Sequence, residues 1–214
     1  MRWLVVTAWL LAGSVGAVCA GELTVRVVDT QARVVNDAVV TLSVEAPTTA
    51  IAPTSTIHYV DQRDETFVPY VQVLRPGDRV VFRNSDHTRH HAYSFSPVKT
   101  FEFMLRPGES SPALALEKTG IVAIGCNIHD HMIAYLVVSG ERAQVTTQGR
   151  AQFDQLPAGR YTVHVWHPQL RPGHAPPDAV AIVAAAGGAT QSLSFTLQLM
   201  PDPRQLVDRE HLGY

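Results

Sequence analysis

The 214-residue chain has few charged side chains and no excess of either sign. Lysine and arginine number 17 against 19 aspartate and glutamate residues, and charged residues make up 17% of the chain. A nucleic-acid binder needs a basic face for phosphates, so this balance argues against one. Apolar residues reach 46%, which excludes a disordered chain, and 14 glycines and 14 prolines favour a turn-rich β protein over a helical bundle.

Long hydrophobic runs are lacking except at the N-terminus. Residues 1–20 carry a positive charge at Arg2, a nearly all-apolar stretch at 3–12, and small residues up to Ala20. This layout predicts a secretory signal peptide cleaved after Ala20, because the apolar stretch is shorter than the roughly 20 residues that cross a bilayer. We therefore expect a periplasmic protein with no membrane span in its mature form. An uncleaved anchor and a lipoprotein cut before Cys19 are the alternatives.

Cysteine is also scarce, because the chain contains Cys19 and Cys126 alone. Removal of the predicted signal peptide would leave Cys126 by itself in an oxidising compartment, where it could form no intramolecular disulfide. One interpretation of such a residue is a buried structural thiol. The other is a thiolate held by a metal ion, which its neighbours in the sequence favour.

Short apolar and β-branched runs recur along the rest of the chain and predict about a dozen strands. Pro-Gly turn signals separate them, as at Arg75–Asp78 and Arg106–Glu109, and no long segment has the 3.6-residue period of a helix. The fold class is therefore predicted to be all-β. Because one small sandwich takes about 100 residues, the length allows two of them.

A loop with three candidate metal ligands lies between two of the predicted strands. Cys126, His129 and Met132 are spaced three residues apart, so one compact loop can turn all three side chains inward. Thiolate and imidazole donors suit copper and zinc, but a thioether binds copper and contributes little to zinc. Two histidines, one cysteine and a distant methionine form the ligand set of a type 1 copper site. The pattern therefore predicts one copper ion at this loop.

The second histidine ligand must come from a neighbouring strand. His90 and His91 both belong to the predicted strand that ends at Phe95. Successive residues of a strand point to opposite faces of the sheet, so only one of the two can face the loop, and alternation alone leaves the choice open. His87 and His131 are interpreted as surface histidines, with a second metal site as the alternative. The remaining histidines have no partner pattern and are assigned no role.

The segment from Thr56 to Val138 resembles the cupredoxins, and its loop lengths are most similar to those of amicyanin and plastocyanin. The residues that carry the resemblance are the run Val73–Phe82, Asn84 six residues before His90, and the loop Cys126–Met132 followed by Ala134–Val138. The run from His90 to Ser96 is also similar to exported cupredoxins labelled methylamine-utilisation proteins. The resemblance implies the copper ligands His90, Cys126, His129 and Met132. The sequence departs from the pattern at His91, where relatives often have asparagine.

The resemblance implies a one-electron carrier rather than an enzyme. In relatives the histidine of the ligand loop, here His129, reaches the surface through an apolar patch, to which Ile128, Ile133 and Pro97 are expected to contribute. The implied partners are exported redox proteins, a dehydrogenase or a cytochrome, that dock transiently. The alternatives are a copper-binding or delivery protein and a binding module with structural copper. A copper enzyme would need a second centre with several further histidines, for which the sequence has no motif.

The sequence on both sides of this segment resembles carboxypeptidase regulatory-like domains, which are small Ig-like sandwiches. The run Val25–Leu42 is similar to the opening hairpin, and the run Thr147–Val163 is similar to later strands. The alternative is that the N-terminal strands extend the cupredoxin sheet. Trp166 is expected to pack in the Ig-like core.

Together, these resemblances predict how the chain is divided. A Greek-key cupredoxin sandwich at residues 56–138 is inserted into an Ig-like sandwich, since a domain can be inserted where the termini of the inserted unit lie close together. The predicted units are a signal peptide at 1–20, Ig-like strands at 21–55, the cupredoxin sandwich, the remaining Ig-like strands at 139–200, and a polar tail at 201–214.

Overall fold

The computed structural model describes residues 21–44, 55–183 and 191–205. The predicted signal peptide, Cys19 and residues 206–214 of the predicted tail lie outside the described residues. Sixteen strands and one short 3₁₀ helix form the described part, which confirms the predicted all-β class. Within that part, no helix is long and apolar enough to cross a membrane.

The strands are short and follow one another with brief connections. They are β1 (Gly21–Asp29), β2 (Val39–Val44), β3 (Ile57–Arg63), β4 (Thr66–Val68), β5 (Val71–Leu74), β6 (Arg79–Asn84), β7 (His90–Ser96), β8 (Lys99–Leu105), β9 (Leu114–Ala115), β10 (Gly120–Gly125), β11 (Ile133–Val138), β12 (Arg142–Val145), β13 (Arg150–Leu156), β14 (Gly159–Trp166), β15 (Ala179–Val183) and β16 (Gln191–Leu197).

Two of the four sheets form what we call the central sandwich. One sheet has the strand order β4-β3-β6-β9 and the other β5-β11-β10-β7-β8. Alternate residues of these strands point inward and share one buried core, in which Phe67, Phe82 and Leu136 are among the largest side chains. Cys126 and Met132 belong to the same core, so the candidate metal loop is anchored directly in it.

The other two sheets form the flanking sandwich, with the strand orders β13-β1-β16 and β12-β2-β14-β15. Its core combines residues from both ends of the described chain, such as Leu23 and Leu42 with Phe153, Tyr161 and Leu197. β1 and β2 pair with strands of this sandwich, so the alternative in which they extend the central sheets does not hold. The exact domain boundaries and the Ig-like relationship stay predictions.

An apolar cluster joins the two sandwiches. The outer faces of β5 and β11 pack against β12, β2 and the end of β14. Tyr135 makes edge-on ring contacts with Tyr70, at a centroid distance of 5.7 Å, and with Trp166, at 5.8 Å. Trp166 therefore lies between the sandwiches and not in the flanking core, and the expectation for it was wrong. The alternation of β14 explains this, because Val163 and Val165 point into the flanking core and Trp166 points away from it.

The two predicted Pro-Gly turns have the geometry that their residues favour. The Asp78 N–H donates to the Arg75 carbonyl at 3.0 Å with Gly77 at φ 95°, and the Glu109 N–H donates to the Arg106 carbonyl at 3.0 Å with Gly108 at φ 79°. A positive φ at the third position, after proline, is the pattern of a type II turn. The first turn joins β5 to β6, and the second follows β8, where the Gly108 N–H donates to the Asn84 carbonyl at 2.8 Å.

Candidate metal centre

Two connections at one end of the central sandwich supply the candidate ligands. His90 is the first residue of β7 and follows the loop 85–89 that leaves β6. The other three candidates lie in the loop 126–132, which closes the antiparallel hairpin of β10 and β11. The pairing of Gly125 with Ile133 fixes both ends of that loop, so the loop starts and finishes at the same level of the sheet.

The structure brings three of the four predicted ligands together. One ring nitrogen each of His90 and His129 and the Sγ of Cys126 all lie within 4.8 Å of one another. The two imidazole rings are 5.1 Å apart between centroids. His90 is fully buried, and 14% of the His129 side chain is exposed. The cluster is thus closed on the core side and open to solvent only along the His129 ring.

The backbone of the loop holds the thiol and the thioether in place. The Cys126 N–H donates to the Met132 carbonyl at 3.1 Å, and the Met132 N–H donates to the His129 carbonyl at 3.0 Å. The Ile128 N–H lies 3.4 Å from the Cys126 Sγ and donates to it. Met132 is buried in the core that also contains Cys126.

The ring nitrogens show whether these residues fit a metal ion. The Nδ1 atoms of His90 and His129 are buried and have no hydrogen-bond partner among the described residues. A buried polar atom without a partner is costly and uncommon, and it calls for an explanation. An imidazole lone pair that binds a metal needs no hydrogen bond. The donor set of one thiol and two such nitrogens therefore fits copper, which binds both kinds of donor.

The structure separates His90 from His91. His90 shares the inner face of β7 with Ala92, whereas His91 points to the outer face. There its Nε2 lies 2.9 Å from Glu102 Oε1, and its ring centroid lies 5.3 Å from that of Tyr93. Strand alternation explains why only His90 reaches the cluster.

Residues around the cluster include one carboxylate that the sequence did not suggest. Glu65, on the turn between β3 and β4, places Oε1 3.6 Å from His129 Nε2 and Oε2 3.9 Å from His131 Nε2. His131 is half-buried, its ring centroid 5.9 Å from that of His129, and His87 is exposed. The contact with Glu65 is between residues more than sixty positions apart, so no local pattern could reveal it.

A second carboxylate, Asp86, accepts a hydrogen bond from His90 Nε2 at 2.8 Å. Burial alone would raise the pKa of the Asp86 carboxyl. Hydrogen bonds from the Glu65 N–H, from His90 and from the Asp64 N–H outweigh that effect and hold the pKa below its ordinary value. Asn84 braces the same loop, because its Nδ2 donates to the Thr88 and Leu105 carbonyls.

The predicted apolar patch around His129 is only partly present. Ile128 is 44% exposed on the ligand loop. Ile133, in contrast, packs in the cluster between the sandwiches. Pro97 lies in the turn beyond the far end of β7, about 20 Å from His90 at 3.3 Å per strand residue. The expectation was therefore wrong for Ile133 and Pro97, since neither adjoins the exposed edge of His129.

Among known proteins, only solved structures resemble this chain. No family model and no curated protein matches the chain. A Cu(I) structure of an amicyanin mutant is 19% identical over 47% of this chain and 98% of that chain, with a TM-score of 0.35. A copper-containing nitrite reductase from Thermus scotoductus is 24% identical over 45% of this chain and 25% of that chain, with a TM-score of 0.35.

A purple cupredoxin from Nitrosopumilus maritimus is 17% identical over 38% of this chain and 98% of that chain, again with a TM-score of 0.35. At these identities and scores, the assignment of the metal centre depends on its own geometry.

Proposed function

We propose that the protein binds one copper ion through His90, Cys126 and His129, with Met132 as a weak fourth ligand. The observation that carries the proposal is the grouping of one ring nitrogen of His90, one of His129 and the Cys126 Sγ within 4.8 Å, in two rings whose buried Nδ1 atoms have no partner among the described residues. His91 also has a buried Nδ1 without a partner among the described residues, but it lies on the outer face of β7, so the nearby thiol is what distinguishes His90 and His129 from it.

We propose further that the protein is a one-electron carrier and not an enzyme. Bound copper would take up and release a single electron. The chain contributes a site that holds its ligands in place, because His90 is fully buried and the loop is fixed at both ends by the hairpin. Small movement of the ligands keeps the reorganisation that accompanies electron transfer small. The partly exposed His129 ring, beside the exposed Ile128, is the face at which a partner would dock.

The proposed cellular context follows from the N-terminal sequence. Export through the predicted signal peptide would place the protein in the periplasm, where its partners would be other exported redox proteins. Such partners dock through small interfaces and separate quickly. This part of the proposal depends on residues 1–20 and on no contact within the described structure.

Copper binding for delivery is the second candidate function. It is favoured by the additional donors beside the exposed ligand, since Glu65 and His131 lie next to the His129 ring. Such groups could accept a departing ion. Delivery would involve a readily released Cu(I) ion, whereas electron transfer requires both oxidation states to be held.

Addition of Cu(II) to the purified protein tests the proposed function. We expect an intense thiolate-to-copper absorption band in the visible spectrum that bleaches on reduction and returns on oxidation. Cys126→Ser should abolish the band, because it removes the sulfur, and His131→Ala should leave it in place. A colourless complex with Cu(I) alone would favour delivery. Loss of the band in His131→Ala, or its persistence in Cys126→Ser, would show that the ligands are assigned wrongly.

A further inference from the structure

The buried ring of His90 is held by an ionised side chain rather than by the backbone. Its Nε2 lies 2.8 Å from Asp86 Oδ2 and, more distantly, 3.3 Å from the Thr88 hydroxyl. A carboxylate accepts hydrogen bonds and cannot donate them. Both Asp86 oxygens already accept hydrogen bonds from the backbone N–H groups of Asp64 and Glu65, so Asp86 is the acceptor in its contact with His90 and Nε2–H is the donor. The lone pair is then on Nδ1, the atom without a partner.

Asp86 is itself held by a hairpin turn from another part of the chain. The Asp64 N–H donates to its Oδ1 and the Glu65 N–H to its Oδ2, both at 2.9 Å. On the other side, the Asp86 N–H donates to the Asn84 side chain at 2.9 Å. The carboxylate is thus oriented from two directions before it contacts His90.

The turn that supplies these donors has an unfavourable backbone. Asp64 and Glu65 have φ of 53° and 52°, in the left-handed region that glycine or asparagine usually occupies in a two-residue hairpin. A residue in that region costs on the order of 1 kcal/mol or more and persists where its surroundings require it. Here the conformation directs two adjacent N–H groups onto one carboxylate.

We propose that Asp86, oriented by the Asp64–Glu65 turn, is a positioning residue that fixes the His90 ring with Nδ1 directed at Cys126. The effect of Asp86 on copper binding rests on the proposed function. The orientation of the ring, however, is a property of the metal-free protein. Residues of this kind typically affect metal affinity by about 10- to 100-fold.

The first test uses the metal-free protein and compares Asp86→Ala, Asp86→Asn and Thr88→Val. Long-range ¹H–¹⁵N spectra of the imidazoles report which ring nitrogen carries the proton. We expect the Nε2–H tautomer of His90 in the wild type, in Asp86→Asn, which keeps an acceptor oxygen, and in Thr88→Val. In Asp86→Ala we expect a mixture of tautomers. The wild-type tautomer in Asp86→Ala, or a mixture in Thr88→Val, would overturn the role of Asp86.

The second test adds copper to the same variants and to Asp130→Asn. Asp130 is exposed in the ligand loop, and the carboxylate beside the His129 and His131 rings is that of Glu65, so the Asp130 variant removes a nearby charge without disturbing an imidazole. We expect a 10- to 100-fold weaker Cu(II) affinity and an altered electron paramagnetic resonance spectrum in Asp86→Ala. Asp130→Asn should keep the wild-type spectrum.

The two tests distinguish failure of the positioning role of Asp86 from failure of the proposed copper binding. Asp86→Ala with Cu(II) affinity within twofold of wild type and an unchanged spectrum would overturn the positioning role. Failure of the wild-type protein to form the copper complex would overturn the proposed function, while the nitrogen spectra would still decide what Asp86 does. If Asp86→Ala does not fold, Asp86→Ser replaces it in both tests with the same expected and contradicting results, because the serine hydroxyl is too short to take the place of the carboxylate beside His90.

Discussion

At the scale of single residues, two buried histidines show how hydrogen-bond partners separate a structural side chain from a candidate ligand. His167 Nδ1 accepts from the Gln169 N–H at 3.1 Å, and its Nε2 donates to the Asn36 carbonyl at 3.1 Å. Both nitrogens of this neutral ring are therefore satisfied. His90 is equally buried but leaves Nδ1 without a partner. Burial alone does not distinguish the two residues, whereas the unpaired nitrogen together with a ring nitrogen within 4.8 Å of the Cys126 Sγ does.

The neutral state of His167 predicts a pH dependence of stability. Burial lowers its pKa from the ordinary 6.5 to about 4. Between these values the unfolded chain binds a proton that the folded chain does not, so unfolding is favoured as the pH falls from 6.5 towards 4. Each pKa unit corresponds to about 1.4 kcal/mol. Denaturant unfolding at several pH values should show this loss in the wild type.

Two substitutions check the cause of that loss. His167→Gln removes the titrating group and should flatten the dependence of the unfolding free energy between pH 4 and 6.5. His164→Gln is the matched control, because His164 lies three residues earlier, on β14, with a more exposed ring that pairs with Asp178. An equally steep dependence in His167→Gln and in the wild type would contradict the prediction.

At the scale of elements, turn glycines differ in what surrounds them. Gly149, in the two-residue turn between β12 and β13, has φ 69°, and a Cβ there would lie 2.9 Å from the Val27 carbonyl oxygen and 2.9 Å from the Val34 Cβ. Gly108 has φ 79°, but a Cβ there would contact nothing within 4 Å. Alanine at Gly108 therefore meets backbone strain alone, and alanine at Gly149 also meets a backbone atom that cannot move easily.

This contrast predicts two different losses of stability. Gly108→Ala should lower the unfolding free energy by about 1 kcal/mol through the left-handed backbone conformation. Gly149→Ala should lower it by at least twice that amount, because β1 and the turn must separate. Urea unfolding of both variants measures the two values. Equal losses of unfolding free energy in the two variants would contradict the prediction, because they would show that the turn at Gly149 can move without disturbing β1.

At the scale of the whole molecule, the cluster between the sandwiches decides whether they unfold together. Tyr135 contacts Tyr70 of the central sandwich and Trp166 of the flanking sandwich. The Arg204 guanidinium lies 3.5 Å from the centre of the Tyr70 ring and forms an ion pair with Asp202 at 2.6 Å. Aromatic and cation–π contacts therefore connect the C-terminal residues of the described chain to the sandwich that carries the metal loop.

Truncation of Tyr135 should uncouple the two sandwiches. Tyr135→Ala removes the ring shared by both sides and is expected to cost about 2 kcal/mol. Calorimetry should then resolve two transitions, of which copper shifts only one. Tyr59→Ala is the matched control, since Tyr59 is 42% exposed on the outer face of β3, and it should leave the profile unchanged. A single transition at the wild-type temperature in Tyr135→Ala would contradict the prediction.

Several features of this protein could be predicted from local sequence. Alternation and turn residues predicted the all-β class, and the strand predicted to contain His90 and His91 and to end at Phe95 matches β7 to within one residue. The spacing of Cys126, His129 and Met132 predicted a compact loop of inward ligands. The fold class and the strand were predicted correctly because each depends on the geometry of neighbouring residues, whereas the ligand roles of the loop residues stay a prediction.

Other features depend on which distant segments meet. β3 and β12 were not predicted, because exposed and edge strands have polar sequences without clear alternation. Only the tertiary structure placed Trp166 between the sandwiches, set Asp86 against His90, and left the Nδ1 atoms of His90 and His129 unpaired. The sequence by itself determined which donors the chain carries and that His90 and His91 point to opposite faces of one strand. Tertiary packing decided their partners, because a hydrogen bond forms only between groups that the fold brings within reach.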